Sequence, residues 1–255
     1  MSAEELLVEQ TPPFDFDELF DADYLHFYEP MLNDERSEAT VELLWELLEL
    51  QPGMTVLDLA CGHGRIANRL AAGGCQVTGL DASTVFLERA RADAEAAGVT
   101  VDYLHGDMRE LPFADASFDR IVCVFTAFGY FDDEGNRSVL REAARVLRAG
   151  GMFYADQHHL LSLVRNWQEE FSLRRGDDWM IDQHDYDAET GRTLNERTIL
   201  RHGRSRTLRY FVRTLTGPEW RAWLHEAGFS AAALYGEGGS DLTMDSRRLI
   251  AVGRR

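Results

Sequence analysis

Between residues 54 and 157 short β-branched apolar runs alternate with amphipathic stretches, and the two periodicities separate cleanly. Runs at 55–59, 76–80, 101–105, 120–125 and 152–156 read as strands. Stretches at 64–72, 83–97 and 136–148, with apolar residues three and four apart, read as helices. Gly98 and Gly150-Gly151 supply two of the helix stops. This alternation predicts an α/β core: a parallel sheet covered by helices on both faces. Upstream, Phe14, Phe16, Leu19, Phe20, Tyr24, Phe27 and Tyr28 recur at helical spacing among acids, and Val41, Leu44, Trp45 and Leu48 repeat the pattern before Gln51-Pro52-Gly53. They predict a helical lid over 1–50. After residue 165 the rhythm changes to extended segments at 178–186, 192–202 and 206–215, divided by Glu189-Thr190-Gly191 and His202-Gly203-Arg204. That predicts an antiparallel β insertion over 166–215, following a core at 51–165. Thr216-Gly217-Pro218-Glu219 opens a helix, and strands at 229–235 and 248–252 over 216–255 bring the sheet to seven strands, mostly parallel.

The first strand runs into the stretch Asp58 to Arg65, "DLACGHGR", a glycine turn before a helix. Such turns hold anionic or nucleotide-like ligands, and Gly62, Gly64 and Ala67 also satisfy the Gly/Ala form of the dinucleotide fingerprint. The glycines leave both ligands open, and Asp58 discriminates. A carboxylate at the strand end, looking into the ligand crevice, repels a pyrophosphate and attracts an ammonium or sulfonium. S-adenosylmethionine is a cationic nucleoside without phosphate. Asp81, closing the second strand, is placed to accept from both ribose hydroxyls; after the third strand, Asp107 can accept from the adenine amino group and Met108 can pack on its ring.

Residues 54 to 157, taken as this ordered set, resemble the class I S-adenosylmethionine-dependent methyltransferases. The C-terminal "LTGPEWRAWLHEAGF" and "SRRLIAVGRR" resemble the small-molecule branch, in particular bacterial natural-product and sugar N-methyltransferases. The resemblance implies a Rossmann-like fold with one reversed strand, S-adenosylmethionine as methyl donor and S-adenosylhomocysteine as product. It implies a cofactor site of Asp58, Ala60, Gly62, His63, Gly64, Asp81, Ala82, Asp107, Met108 and Phe125; Tyr24 and Tyr28, one helical turn apart, either close over the sulfonium by cation–π contact or form a buried aromatic stripe. His63 departs from the smaller residue commoner in the family. Tyr130, after the fourth strand, falls where related sugar N-methyltransferases present a polar residue to the acceptor. His158, after the fifth, is the candidate base if the nucleophile arrives protonated. Trp167 and Trp179 either line an acceptor pocket or pack it.

Charge narrows the partners. The 255 residues carry 44 acidic and 26 basic side chains, a formal net charge of -18, so a nucleic-acid partner is not expected. Every basic residue among the Lys and Arg is arginine. Cys61, Cys75 and Cys123 have no metal-ligand spacing, no apolar run is long enough to span a bilayer, and Glu4 and Glu5 stand where a leader would be positive. A cytoplasmic protein with a small-molecule acceptor and no membrane partner is expected. Arg192, Arg197, Arg201, Arg204, Arg206, Arg209 and Arg213 crowd the insertion and read as a solvated sheet face, or as a homodimer contact through the β cap pairing with the acidic N-terminus. An RNA or protein methyltransferase and a non-catalytic S-adenosylmethionine-binding protein remain alternatives.

Overall fold

Seven strands order themselves β10-β11-β5-β4-β1-β2-β3 in a computed structural model that describes residues 15–255. The strands are β1 (Thr55–Leu59), β2 (Gln76–Asp81), β3 (Val101–His105), β4 (Phe118–Cys123), β5 (Leu147–His158), β10 (Ala231–Tyr235) and β11 (Arg248–Arg254). All neighbours pair in parallel except β11, antiparallel to both β5 and β10. The order turns outward on either side of β1, so the ends of β1 and β4 flank a crevice of the kind that open α/β sheets use for ligands.

Two apolar layers cover the sheet. One holds Leu44 and Leu48 of α3 (Asp34–Leu47) and its cap, Leu70 of α4 (Ala67–Ala72), and Leu87 and Ala90 of α5 (Thr84–Ala97). The opposite layer holds Val139, Leu140 and Ala143 of α6 (Asp133–Val146) with Trp220, Trp223 and Leu224 of α8 (Gly217–Glu226). Thr216 and Glu219 form a reciprocal capping box at the start of α8, as their spacing suggests. No helix among the described residues is long and apolar enough to cross a membrane.

The insertion is a separate antiparallel sheet of four strands rather than three: β6 (Glu170–Arg175), β7 (Asp178–Asp187), β8 (Arg192–Arg201) and β9 (Arg204–Arg213). The added strand lies at an edge, with no buried residue to mark it, although Phe171 and Leu173 alternate as a strand requires. A six-residue helix α7 (Leu160–Arg165) leads into it. Over both sheets lie α1 (Phe16–Leu19) and α2 (Ala22–Tyr28). Phe27 packs with Met180 and Ile199 of the insertion, while the Ser83 hydroxyl donates to the Phe20 carbonyl at 2.6 Å and ties the lid to the core. Phe14 and the acids before it lie outside the described residues.

Of the insertion arginines from Arg192 to Arg213 only Arg204 and Arg209 are exposed, so they do not make one solvated face. Arg192, Arg197 and Arg213 are buried. Arg201 and Arg206 reach the lid's Asp23, at 2.6 and 3.0 Å, and Arg206 also pairs with Asp21. The acidic N-terminal segment thus pairs with the cap inside one chain. Strand alternation puts Arg197 and Arg201 on one face, and the lid's position decides that this face is covered.

Core and insertion meet where the Arg213 amide donates to the Gly129 carbonyl at 2.7 Å. Gly129 has φ +111°, and a Cβ there would overlap the Arg213 carbonyl oxygen, a backbone atom with nowhere to go. Gly129→Ala should therefore cost about 3 kcal/mol and lower Tm by roughly 6–12 °C in thermal unfolding.

Candidate active site

The turn after β1 is built by left-handed backbone at Ala60 (φ +57°), Gly62 (φ +55°) and Gly64 (φ +78°). The Cys61 amide donates to the Leu80 carbonyl at 3.1 Å, and the Gly62 amide donates to Asp81 Oδ2 at 2.7 Å. Asp81 Oδ1 accepts from the Ser83 amide at 2.8 Å. Burial raises the Asp81 carboxyl, and these backbone amides oppose it. Each oxygen keeps a second acceptor position.

Around this turn lies a cavity of about 280 Å³ lined by Ala60, Gly62, His63, Asp81, Ala82, Asp107, Met108, Phe125 and Tyr24, all from the sequence-derived set. Asp107 is engaged on its own loop: its carboxylate accepts from the Arg109 amide at 2.8 Å and from the Arg109 guanidinium at 2.6 Å. Burial raises that carboxyl, and the Arg109 contacts outweigh it, leaving it below its usual range. His63 is half-buried rather than solvated; burial and then Arg65 push its imidazole down to about 4.

Three residues of the expected set lie outside the walls of this cavity. Asp58 does not line the cavity. It shares the face of β1 with Val56, under the helix layer, and is fully buried, with the Ala67 backbone amide only partly offsetting its desolvation. Burial pushes its carboxyl up to about 7, with Arg65 the strongest opposing charge. Gly64 does not line it either; a Cβ there would overlap Tyr103 Oη and meet Ala90 Cβ at 2.9 Å, so this glycine serves the close approach of strand and helix. Tyr28 stands in a second cavity, not over the first.

That second cavity, about 390 Å³, lies between the sheet ends, the lid and the insertion. Its floor was not legible in the sequence. Arg197 and Asp182, both buried, form a bidentate pair with both contacts at 2.7 Å. The same guanidinium donates to Tyr210 Oη at 3.0 Å and lies 5.8 and 5.6 Å from the ring centres of Tyr24 and Tyr28, which stack on each other at 4.3 Å. Thr193, Asn195, His184 and Trp167 complete the walls. Trp179 does not line it and instead packs beneath the Arg174 guanidinium. Both sequence-derived candidates for chemistry face this cavity. Tyr130 is half-buried, and burial raises its phenol above the ordinary range. His158 opens into the cavity, where the surrounding protein and then Arg248 hold its imidazole down to about 4. Its neighbour His159 faces inward and donates from Nδ1 to the Ser246 carbonyl, 2.9 Å away, a packing role.

The two cavities share five wall residues: Phe20, Tyr24, Phe125, Thr126 and Tyr130. Beyond the sequence-derived set, Arg65 also lines the first cavity. Its guanidinium donates to Ser37 Oγ at 3.3 Å and lies 5.4 Å from the Phe125 ring centre. Its place directly after Gly64 was the available signal.

A family model for a methyltransferase domain matches residues 56–151. The 27-O-demethylrifamycin SV methyltransferase of Amycolatopsis mediterranei is 41% identical over 120 residues, covering 45% of this chain and 43% of the relative. The chain spans about half the length of the curated relatives it matches, 43% and 60% for the first two. Among solved structures, an S-adenosylmethionine-dependent methyltransferase from Clostridium acetobutylicum superposes with a TM-score of 0.75 at 16% identity, over 91% of this chain and 97% of that one. The sugar N-methyltransferase KedS8 of a Streptoalloteichus species gives a TM-score of 0.68 at 18% identity, over 91% and 92%. Residues 56–151 thus match a methyltransferase-domain family, and the described chain shares its fold with solved structures of S-adenosylmethionine-dependent methyltransferases.

Proposed function

We propose that this chain moves a methyl group from S-adenosylmethionine to a nitrogen or oxygen of a small-molecule acceptor. The donor would occupy the first cavity and the acceptor the second. The observation that carries this reading is the shared wall of Phe20, Tyr24, Phe125, Thr126 and Tyr130, which lets two ligands meet at one point.

The residues of the first cavity fit the donor. Asp81 retains two acceptor positions for a diol, and Met108 offers an apolar surface to a base. The Asp58 carboxyl, buried beneath the cavity wall, lies near enough to Arg65, which lines the cavity, for their charges to interact. An adjacent negative and positive group complement the two charges of an α-amino acid end. The pair supports a zwitterion there better than a pyrophosphate. Bound, the cofactor supplies a methyl group made electrophilic by a positively charged sulfur.

What the chain contributes is orientation and exclusion of water. Tyr24 and Tyr130 are enclosed, and their phenols stay protonated through the neutral range, because burial raises both. His158, held down to about 4, is neutral at pH 7 and a weak proton acceptor. Asp182, the one carboxylate among the described residues that line the second cavity, is committed to Arg197 rather than left as a base. This favours an acceptor amine that arrives neutral and needs no base. The paired charges of the cavity likewise favour an acceptor without phosphate groups. The sugar N-methyltransferase likeness and the rifamycin-related one point to the same broad class of acceptor.

Calorimetric titration tests the donor: S-adenosylmethionine and S-adenosylhomocysteine should bind, NADP should not, and the reverse order would overturn the reading. Asp58→Asn should weaken S-adenosylhomocysteine binding by about tenfold. The same change should stabilise the unliganded protein, with a sign set by Asp58 itself. Its folded pKa of about 7 lies above the unfolded value of about 3.8. The carboxyl's stabilising contribution is therefore complete below pH 4 and lost as pH rises through 7. The advantage of the asparagine should grow from pH 4 to 7 and reach about 3–4 kcal/mol, read by denaturant unfolding at each pH. Acceptors found with isotopically labelled donor allow the third check. For an amine acceptor, kcat/KM should rise to a plateau at the acceptor's own pKa. His158→Asn should leave that profile unmoved and lower kcat by less than about fivefold.

A further inference from the structure

The residues where the two cavities meet are strained. Phe125 and Thr126 stand side by side with φ +64° and +59°, a left-handed conformation that costs about 1–3 kcal/mol per non-glycine residue and is least tolerated by a β-branched side chain. The strain has a local purpose. Val124 leaves the β4–β5 ladder after Cys123 pairs with Ala155, and the chain turns so that the Phe125 ring stands 41% exposed in the walls of both cavities.

One residue receives both amides of the strained pair. Phe125 N donates to Asp156 Oδ1 at 2.6 Å, and Thr126 N donates to the Asp156 carbonyl at 3.1 Å. The other carboxylate oxygen accepts from Arg248 Nε at 3.0 Å and from Arg248 Nη2. Arg248 is carried by β11, two residues out of register from Asp156, and itself lines the second cavity. On the opposite side the Arg65 guanidinium lies 5.4 Å from the Phe125 ring centre. The ring is thus held from the sheet by Asp156 and bounded by a cation belonging to the first cavity.

We propose that Asp156 is a positioning residue for methyl transfer: by receiving both amides of the left-handed Phe125–Thr126 pair, it fixes the Phe125 ring at the junction of the donor and acceptor cavities. The proposal rests on the reading of the two cavities given above. Asp156 touches neither ligand space as a catalytic group and acts through Phe125. Arg248 in turn orients the carboxylate, which links the acceptor cavity wall to the donor cavity wall through one side chain.

The test uses the full chain, S-adenosylhomocysteine as probe, and four variants: Asp156→Ala, Asp156→Asn, Phe125→Ala and the Asp156→Ala/Phe125→Ala double. Asp156→Ala and Phe125→Ala should each lower affinity by about tenfold, and the double variant by about tenfold again in total rather than a hundredfold, because one residue works through the other. Asp156→Asn should stay within about threefold of the parent, since an amide oxygen still accepts from Phe125 N. Hydrogen exchange supplies a readout that needs no ligand. In Asp156→Ala, amides of segment 124–127 should exchange at least about 30 times faster while the β1–β2 core is unchanged. Should Asp156→Ala not fold, Asp156→Ser, whose hydroxyl is too short to reach the Phe125 amide, should show the same two losses. Additive losses in the double variant, an asparagine as damaging as alanine, or unchanged exchange at 124–127 would each overturn the proposal. If the parent chain binds no S-adenosylhomocysteine, the donor reading fails, while the exchange measurement still decides the role of Asp156.

Discussion

The buried Arg197–Asp182 pair holds together the parts that the sheet alone leaves separate. A buried ion pair survives only if its remaining donors and acceptors are also satisfied. Here the guanidinium meets that demand by drawing in Tyr210 from the insertion and Tyr28 from the lid, and by lying over the rings of Tyr24, Tyr28 and Tyr210. Removing either partner would strand a charge and cost several kcal/mol. The lid's place over the insertion, the floor of the second cavity and the position of Tyr24 in both cavities all follow from this cluster.

The core contributes a different kind of constraint. The turn after β1 is held by backbone groups, with Gly62 N on Asp81 and Cys61 N on the Leu80 carbonyl, so the first cavity is rigid on its floor. Its roof is not part of the sheet. Phe16, Phe20 and Tyr24 come from the lid, and the lid is joined to the insertion by Asp21, Asp23 and Tyr28 and to the core by the Phe20 carbonyl. A roof fastened to the cap and a floor fastened to the sheet make the junction at Phe125 and Tyr130 the place where the two rigid parts are matched.

The charge distribution has the same logic. A strongly acidic chain concentrates arginines in the insertion, and each of the three that are buried has a carboxylate partner: Asp133 for Arg192, Asp182 for Arg197, Glu219 for Arg213. Arginine suits this use, since its planar fork accepts bidentate pairing and stacks on aromatic faces. The second cavity therefore presents polar and aromatic groups whose charges are already balanced, which suits an uncharged or neutral-amine ligand.

How much of this was legible in the residues themselves follows from the range of the interactions. The strands, the glycine turn, the Thr216–Glu219 cap and the carboxylates at 81 and 107 depend on neighbours within a few positions or on strand-end placement in a parallel sheet. Sequence pattern therefore determined them, together with the methyltransferase resemblance. What tertiary structure decided depended on direction and coverage. Asp58 was placed at the strand end correctly, but alternation turns its side chain under the helix layer. Tyr28 lies one helical turn from Tyr24, yet it lines only the second cavity while Tyr24 lines both. Arg197 needed a lid 169 residues away at Tyr28, and Asp156 needed Phe125 across 31 residues, to acquire their roles. Periodicity tells which side chains share a face; only packing tells what lies against it.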